Sequence, residues 1–122
     1  MPILDLRCIC QNRDDVPTGA AQSVADAVAT SLKLGPGRVW VRMQRISVED
    51  YAENHETVSA EDLPVFATVL HARLPKEEEL RAEVRALTQA IAEALGRDAQ
   101  RVHLEYASPG AKRMAFGGKL VD

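Results

Sequence analysis

Two stretches decide the fold: AAQSVADAVATSLKLGPGRVWV, from Ala20 to Val41, and EVRALTQAIAEALGRDAQRVHL, from Glu83 to Leu104. Offset by 63 residues, they superimpose: Ala21, Val24, Val28, Ala29 and Leu32 fall on Val84, Leu87, Ile91, Ala92 and Leu95, and Arg38-Val39-Trp40-Val41 falls on Arg101-Val102-His103-Leu104. Both apolar sets keep the spacing i, i+3, i+4, i+7, so each stretch predicts an amphipathic helix with one buried stripe. The first runs from about Thr18 to Leu34 and the second from Lys76 to Leu95. Pro17 or Thr18 opens the first. Pro75 opens the second, where Glu77, Glu78 and Glu79 sit on the positive end of the helix dipole. Gly35-Pro36-Gly37 is expected to close the first and Gly96 the second, because a left-handed cap is cheapest for glycine.

Strand-like segments bracket each helix: Pro2 to Cys10 and Arg38 to Ile46 around the first, Pro64 to Arg73 and Arg101 to Tyr106 around the second. This is β-α-β twice, and a strand, crossover helix and strand in one sheet come out parallel. The expectation is an α+β fold, a tandem β-α-β repeat forming a four-stranded mixed sheet with two helices on one face. The chain reads as a single domain, 1–122, with halves at roughly 1–62 and 63–122. Such a sheet has an open second face and open edges, and covering them with copies of the same chain predicts an oligomer. Ser47 to Leu63 is polar and acidic without a clean period. It reads as a connecting loop with a short turn of helix around Tyr51. Ser108-Pro109-Gly110 and Phe116-Gly117-Gly118 are turn signals that predict a C-terminal hairpin or edge strand.

A chain of 122 residues holds one two-layer core and excludes a multidomain enzyme. The net charge of −3 and only five aromatics (Trp40, Tyr51, Phe66, Tyr106 and Phe116) argue against a nucleic-acid partner. The apolar stretch Val65 to Leu70 is far short of a membrane span, so no membrane association is expected. Asp5 and Arg7 interrupt the only N-terminal apolar segment, which is therefore not read as a secretion signal, and a cytoplasmic location is the expectation. Cys8 and Cys10 lie two apart on one strand face and read as reduced, half-buried packing residues. His55, His71 and His103 show no ligand spacing, so neither a metal nor another cofactor is expected. No phosphate loop and no serine-nucleophile elbow is present.

The chemistry that remains is at the N-terminus. Met1-Pro2 is a substrate for methionine removal, which leaves a secondary amine with no peptide bond: a true base. An apolar pocket disfavours its charged form and moves its pKa toward neutrality. The strand Ile3-Leu4-Asp5-Leu6 would hold that nitrogen at the sheet.

A mature Pro2 that begins a strand, in a chain of two β-α-β halves, resembles the tautomerase superfamily, which includes 4-oxalocrotonate tautomerase and macrophage migration inhibitory factor. Its two-repeat members are similar at Pro2-Ile3-Leu4, Val16-Pro17-Thr18-Gly19, Leu70-His71-Ala72-Arg73, Arg101-Val102-His103-Leu104-Glu105-Tyr106 and the tail Phe116-Gly117-Gly118-Lys119-Leu120. The resemblance spans nearly the whole chain. It implies a homotrimer in which Pro2 is the general base and acid for keto–enol isomerisation of a small carboxylate-bearing substrate. It also implies a role for Arg73, at the end of the third strand, in gripping the carboxylate with its guanidinium fork; the alternative is a solvated arginine beside Pro75. By the two-residue strand period, His103 and Glu105 share one face and Val102, Leu104 and Tyr106 the other. The first two then either line a pocket built across a subunit boundary or serve as surface and packing residues. Trp40, the repeat counterpart of His103, lines the same pocket or fills the trimer centre. Phe116 is an apolar wall beside the proline nitrogen or a hairpin residue folded on the core. Ala115 stands where hydrating relatives place a glutamate, and Leu74 and Pro75 follow Arg73 where decarboxylating relatives have a second arginine. These departures place hydration, decarboxylation or dehalogenation of a three-carbon acid second, and a non-catalytic oligomeric binding protein third.

Overall fold

The computed structural model describes residues 2–122. Strand β1 (Ile3–Cys10) leads through a short 3-10 turn to helix α1 (Ala20–Leu32) and strand β2 (Trp40–Ser47); β3 (Val65–Leu70), α2 (Glu77–Leu95) and β4 (Val102–Tyr106) repeat the pattern. The strands form one sheet in the order β2-β1-β3-β4. The outer pairs β1–β2 and β3–β4 are parallel, and β1 meets β3 antiparallel, so the sheet is mixed and the α+β expectation holds. Ile3 pairs with Leu70 and Arg7 with Phe66; shifting each residue of the first pair by 63 positions into the other half gives the second. The two halves are thus related by a local two-fold that passes between β1 and β3.

Strand alternation sorts the side chains. Leu4, Leu6, Cys8 and Cys10 of β1 and Val65, Ala67 and Val69 of β3 turn toward the helices, where they pack on Val24, Val28, Leu87 and Ile91. Both cysteines are more deeply enclosed than expected: they are buried, not half-buried, because their positions coincide with the helix-facing set of the central strand. Burial pushes the Cys8 thiol up to about 11. The opposite face carries Asp5, Arg7, Trp40, Arg42, Thr68 and Glu105 and has no helix over it.

The helix ends show two departures: α1 begins at Ala20 behind Gly19, at φ 90, and not at Pro17 or Thr18, and its C-terminus differs too. Gly96, at φ 65, closes α2 as expected, but α1 stops at Leu32 with Lys33 in the left-handed conformation at φ 57. Leu34 donates to the carbonyl of Ala29, a closed C-terminal turn that is complete before Gly35 is reached. Pro36 then holds Gly35 out of the helical region.

The acidic connection is tied down by Arg101, whose guanidinium donates to Glu53 and to the Asp62 carbonyl. The connection holds two 3-10 turns, Val48–Asp50, just ahead of Tyr51, and Ala60–Asp62. The tail forms the expected hairpin, β5 (Ala115–Phe116) with β6 (Lys119–Leu120). Its two linking residues both need positive φ, which Gly117 (55) and Gly118 (86) supply. Among the described residues no helix is long and apolar enough to cross a membrane.

Leu87 is fully buried where α2 meets the sheet. Leu87→Ala is expected to cost about 2–5 kcal/mol, measured by urea unfolding, with the cavity it leaves as the cause.

Candidate functional site

Pro2 heads β1, a central strand. Its ring is buried and its carbonyl accepts the Trp40 N–H at 3.1 Å. The local two-fold shows what lies on its other side. Cys8 is paired with Val65, and the repeat counterparts of those residues are His71 and Pro2. The same register, extended by one residue past Ile3–Leu70, sets Pro2 opposite His71.

Phe116 is brought to Trp40 by the C-terminal hairpin, with ring centroids 4.9 Å apart and planes at 78°, an edge-to-face contact. Trp40 Nε1 donates to the Gly37 carbonyl at 3.0 Å, which fixes the indole while leaving it 51% exposed. Together with Ile3, Arg42 and Met114 the two rings line a cavity of about 290 Å³. Arg42 enters this cavity as a cation already engaged: Asp5 accepts from its Nε and Nη2 at 2.6 and 2.8 Å, which raises the pKa of the guanidinium.

Arg73 is not at the end of a strand. β3 stops at Leu70, where its register with β1 ends at Ile3, three residues before Arg73. The exposed Arg73 donates through Nη2 to the Asp122 carbonyl. One of its five N–H donors is thus taken by the chain's own tail.

His103 and Glu105 are exposed on the helix-free face, and Val102, Leu104 and Tyr106 turn inward, as alternation requires. Glu105 accepts from Thr68 at 3.3 Å, and Thr68 accepts from Arg7 at 3.1 Å. His103 contacts the Phe66 ring at 5.3 Å, level with Arg7 of β1. It lies two strand spacings from β1, about 10 Å, and several residues away from Pro2 along the strand. One chain brings Trp40 and Phe116 together at the end of β2 that pairs with the head of β1. It does not bring His103 or Glu105 there.

A cluster that composition and spacing did not suggest sits just past the end of β3, whose last residue, Leu70, pairs with Ile3. His71 Nε2 is 2.8 Å from Glu83 Oε2, with side-chain exposures of only 14% and 12%, and the Tyr106 hydroxyl donates to the same oxygen at 2.7 Å. The His71 and Tyr106 rings stack at 6.1 Å. Burial alone would raise the Glu83 carboxyl, but the hydrogen bonds from His71 and Tyr106 outweigh it and hold the carboxyl below the usual range. Burial, then Glu83, pushes the Tyr106 phenol up. A signal for this cluster exists in the repeat: the counterparts of His71, Glu83 and Tyr106 are Cys8, Ala20 and Met43, all packed in the core. Three apolar positions of the first half are polar in the second. Among the described residues no group of three or more His, Cys, Asp or Glu is arranged to hold a metal ion.

By sequence the chain matches no protein-family model and no curated protein. By structure it is similar to a fused 4-OT symmetric trimer at 19% identity and TM-score 0.75, covering 98% of this chain and 94% of that one. A macrophage migration inhibitory factor from Oncomelania hupensis superimposes at 17% identity and TM-score 0.73, covering 100% and 83%. A malonate semialdehyde decarboxylase inhibited by 3-bromopropiolate does so at 14% and 0.71, covering 94% and 88%. The fold of this chain is the one these tautomerase-superfamily structures share.

A lowered Glu83 pKa means stability that is fully present above the ordinary glutamate value of roughly 4.3 and lost as pH falls through the lower folded value. Urea unfolding of the wild type is expected to weaken across that acid window. The difference between wild type and Glu83→Gln should be constant above about pH 5 and shrink below it.

Proposed function

We propose that the protein is a cytoplasmic tautomerase in which Pro2, freed by removal of Met1, takes a proton from the carbon next to a carbonyl and returns it in interconverting enol and keto forms. The observation that carries this is the seat of Pro2: buried at the head of a central strand, its carbonyl held by the N–H of Trp40, the residue that carries the Phe116 contact. An amine in such surroundings is disfavoured as a cation, which suits a base that must be neutral at working pH. The fold shared with tautomerase-superfamily structures supports the reading.

The substrate is a small carboxylate such as a phenylenolpyruvate or a 2-hydroxydienoate. Arg73 grips its carboxylate with the N–H donors that Asp122 leaves free, and the 290 Å³ cavity behind Trp40 and Phe116 takes its apolar end. The 122 residues act as one domain, and three copies assemble. The helix-free face and the edges β2 and β4 are open in one chain, and a fused 4-OT with the same fold is a symmetric trimer. In the trimer, His103 and Glu105 reach the Pro2 pocket of a neighbouring copy, since they lie too far from their own.

Pro2→Ala is expected to lower kcat/KM for phenylenolpyruvate by roughly 10²–10⁴-fold, the usual contribution of a positioned base, with the circular-dichroism spectrum unchanged. Undiminished turnover in the mutant, or mass spectra showing Met1 retained on active protein, would rule out the proline mechanism. Native mass spectrometry should show a species of three chains; a monomer at micromolar concentration would contradict the assembly.

A further inference from the structure

At three positions toward the end of the sheet where Pro2 sits, the second half of the repeat is polar where the first is apolar. Cys8, Ala20 and Met43 close the first half as an ordinary core, whereas His71, Glu83 and Tyr106 meet on one carboxylate oxygen. A buried charged contact is not needed to dock a helix on a sheet, since the first half does so without one. What distinguishes the second half is what leaves it. Beyond β4 the chain runs beside residues 69–72, with Ala107 donating to Val69, Gly110 to the carbonyl of His71 at 2.8 Å and Ala111 to that of Ala72 at 3.0 Å. From there it enters the hairpin that places Phe116 against Trp40. Arg73 holds the far end of the same tail through Asp122. The strip from His71 to Arg73 is therefore the dock for the tail, and Glu83 grips that strip through His71 and the root of the tail through Tyr106.

We propose that Glu83 is a positioning residue for the Pro2 site: through His71 and Tyr106 it fixes the strip and the tail root, and so sets where Phe116 stands against Trp40, beside the strand that Pro2 heads. The proposal rests on the tautomerase reading for its catalytic consequence but not for its structural one. Glu83 touches none of the wall residues itself. Its effect passes through two backbone carbonyls to Gly110 and Ala111, and from there along the hairpin. The design has a physical rationale in the tail's composition: the hairpin strands are two residues each and half or fully exposed, too little buried surface to hold their own position.

Trp40 is the chain's only tryptophan, so its fluorescence reports the Phe116 contact directly. Three measurements on full-length Glu83→Gln test the proposal, with Phe116→Leu as the reference for a lost wall. The variant is expected to shift Trp40 emission toward that of Phe116→Leu and to speed amide exchange at Gly110 and Ala111 by about tenfold, the amides of β1 remaining protected. It is also expected to lower kcat for phenylenolpyruvate roughly tenfold or more, as misplacement of a positioned group does. Tyr106→Phe, which keeps the ring and removes one donor, should show the same shifts to a smaller degree and stands in if Glu83→Gln does not fold. Unchanged Trp40 emission and unchanged Gly110 and Ala111 exchange in a folded variant would overturn the proposal. A loosened tail with undiminished kcat would overturn the link to the site. The tautomerase reading fails separately, by undiminished turnover in Pro2→Ala, and the fluorescence and exchange results still decide the role of Glu83 in that case.

Discussion

The antiparallel pairing of β1 with β3 is the contact on which the rest of the molecule depends. Each β-α-β half has only two strands and one helix, and a pair of parallel strands with one face covered cannot bury enough apolar surface to stand alone. Joining the halves across a local two-fold makes β1 and β3 central, surrounds Leu4, Leu6, Val65 and Val69 with both helices, and leaves β2 and β4 as edges. The same pairing seats Pro2. A strand that heads the chain and lies at the sheet's centre places its first residue where neighbours close on it from both sides.

Duplication also divides the faces unequally in purpose. Toward the helices the side chains are apolar and the packing is core. Away from them the sheet carries a polar ladder: Asp5 with Arg42, and Arg7 with Thr68 and Glu105. Ion pairs as exposed as that of Arg42 add little to stability on their own. Their disposition instead suits a surface that meets another surface, with charges paired in advance of contact. The His71–Glu83 contact is of the other kind, with both side chains mostly shielded from water. Removing one partner there strands the other, so its cost is the desolvation of an unpaired group and exceeds the value of the bond itself.

Much of the site was legible in the chain, for identifiable reasons. Pro2 stood out because it is the one group whose chemistry changes when the preceding residue is removed, Trp40 because the repeat sets it opposite His103, and Phe116 through the resemblance of the tail. Arg73 was visible as a residue type, but its partner, the Asp122 carbonyl, lies 49 residues away and follows from how the tail folds back. Arg42 was passed over because nothing local links it to Asp5; the parallel register of β1 and β2 does so. Glu83 carries no local signal, being one of several acids on α2. Only comparison with Ala20, its counterpart in the repeat, shows that it occupies a core position.

By itself the sequence determined the periods: 3.6 along two helices, 2 along four strands, and 63 between the halves. Helix-facing and helix-free sides follow from those periods, and so do the element order and the hairpin, since local sterics and burial act over a few residues at a time. Tertiary structure decided which residues at the ends of elements meet. The opposition of Pro2 and His71, the shared oxygen of Glu83 and the dock for the Phe116 tail all arise where strands terminate and periodicity carries no information. There, register and long-range closure choose the neighbours, and distance along the chain no longer predicts distance in space.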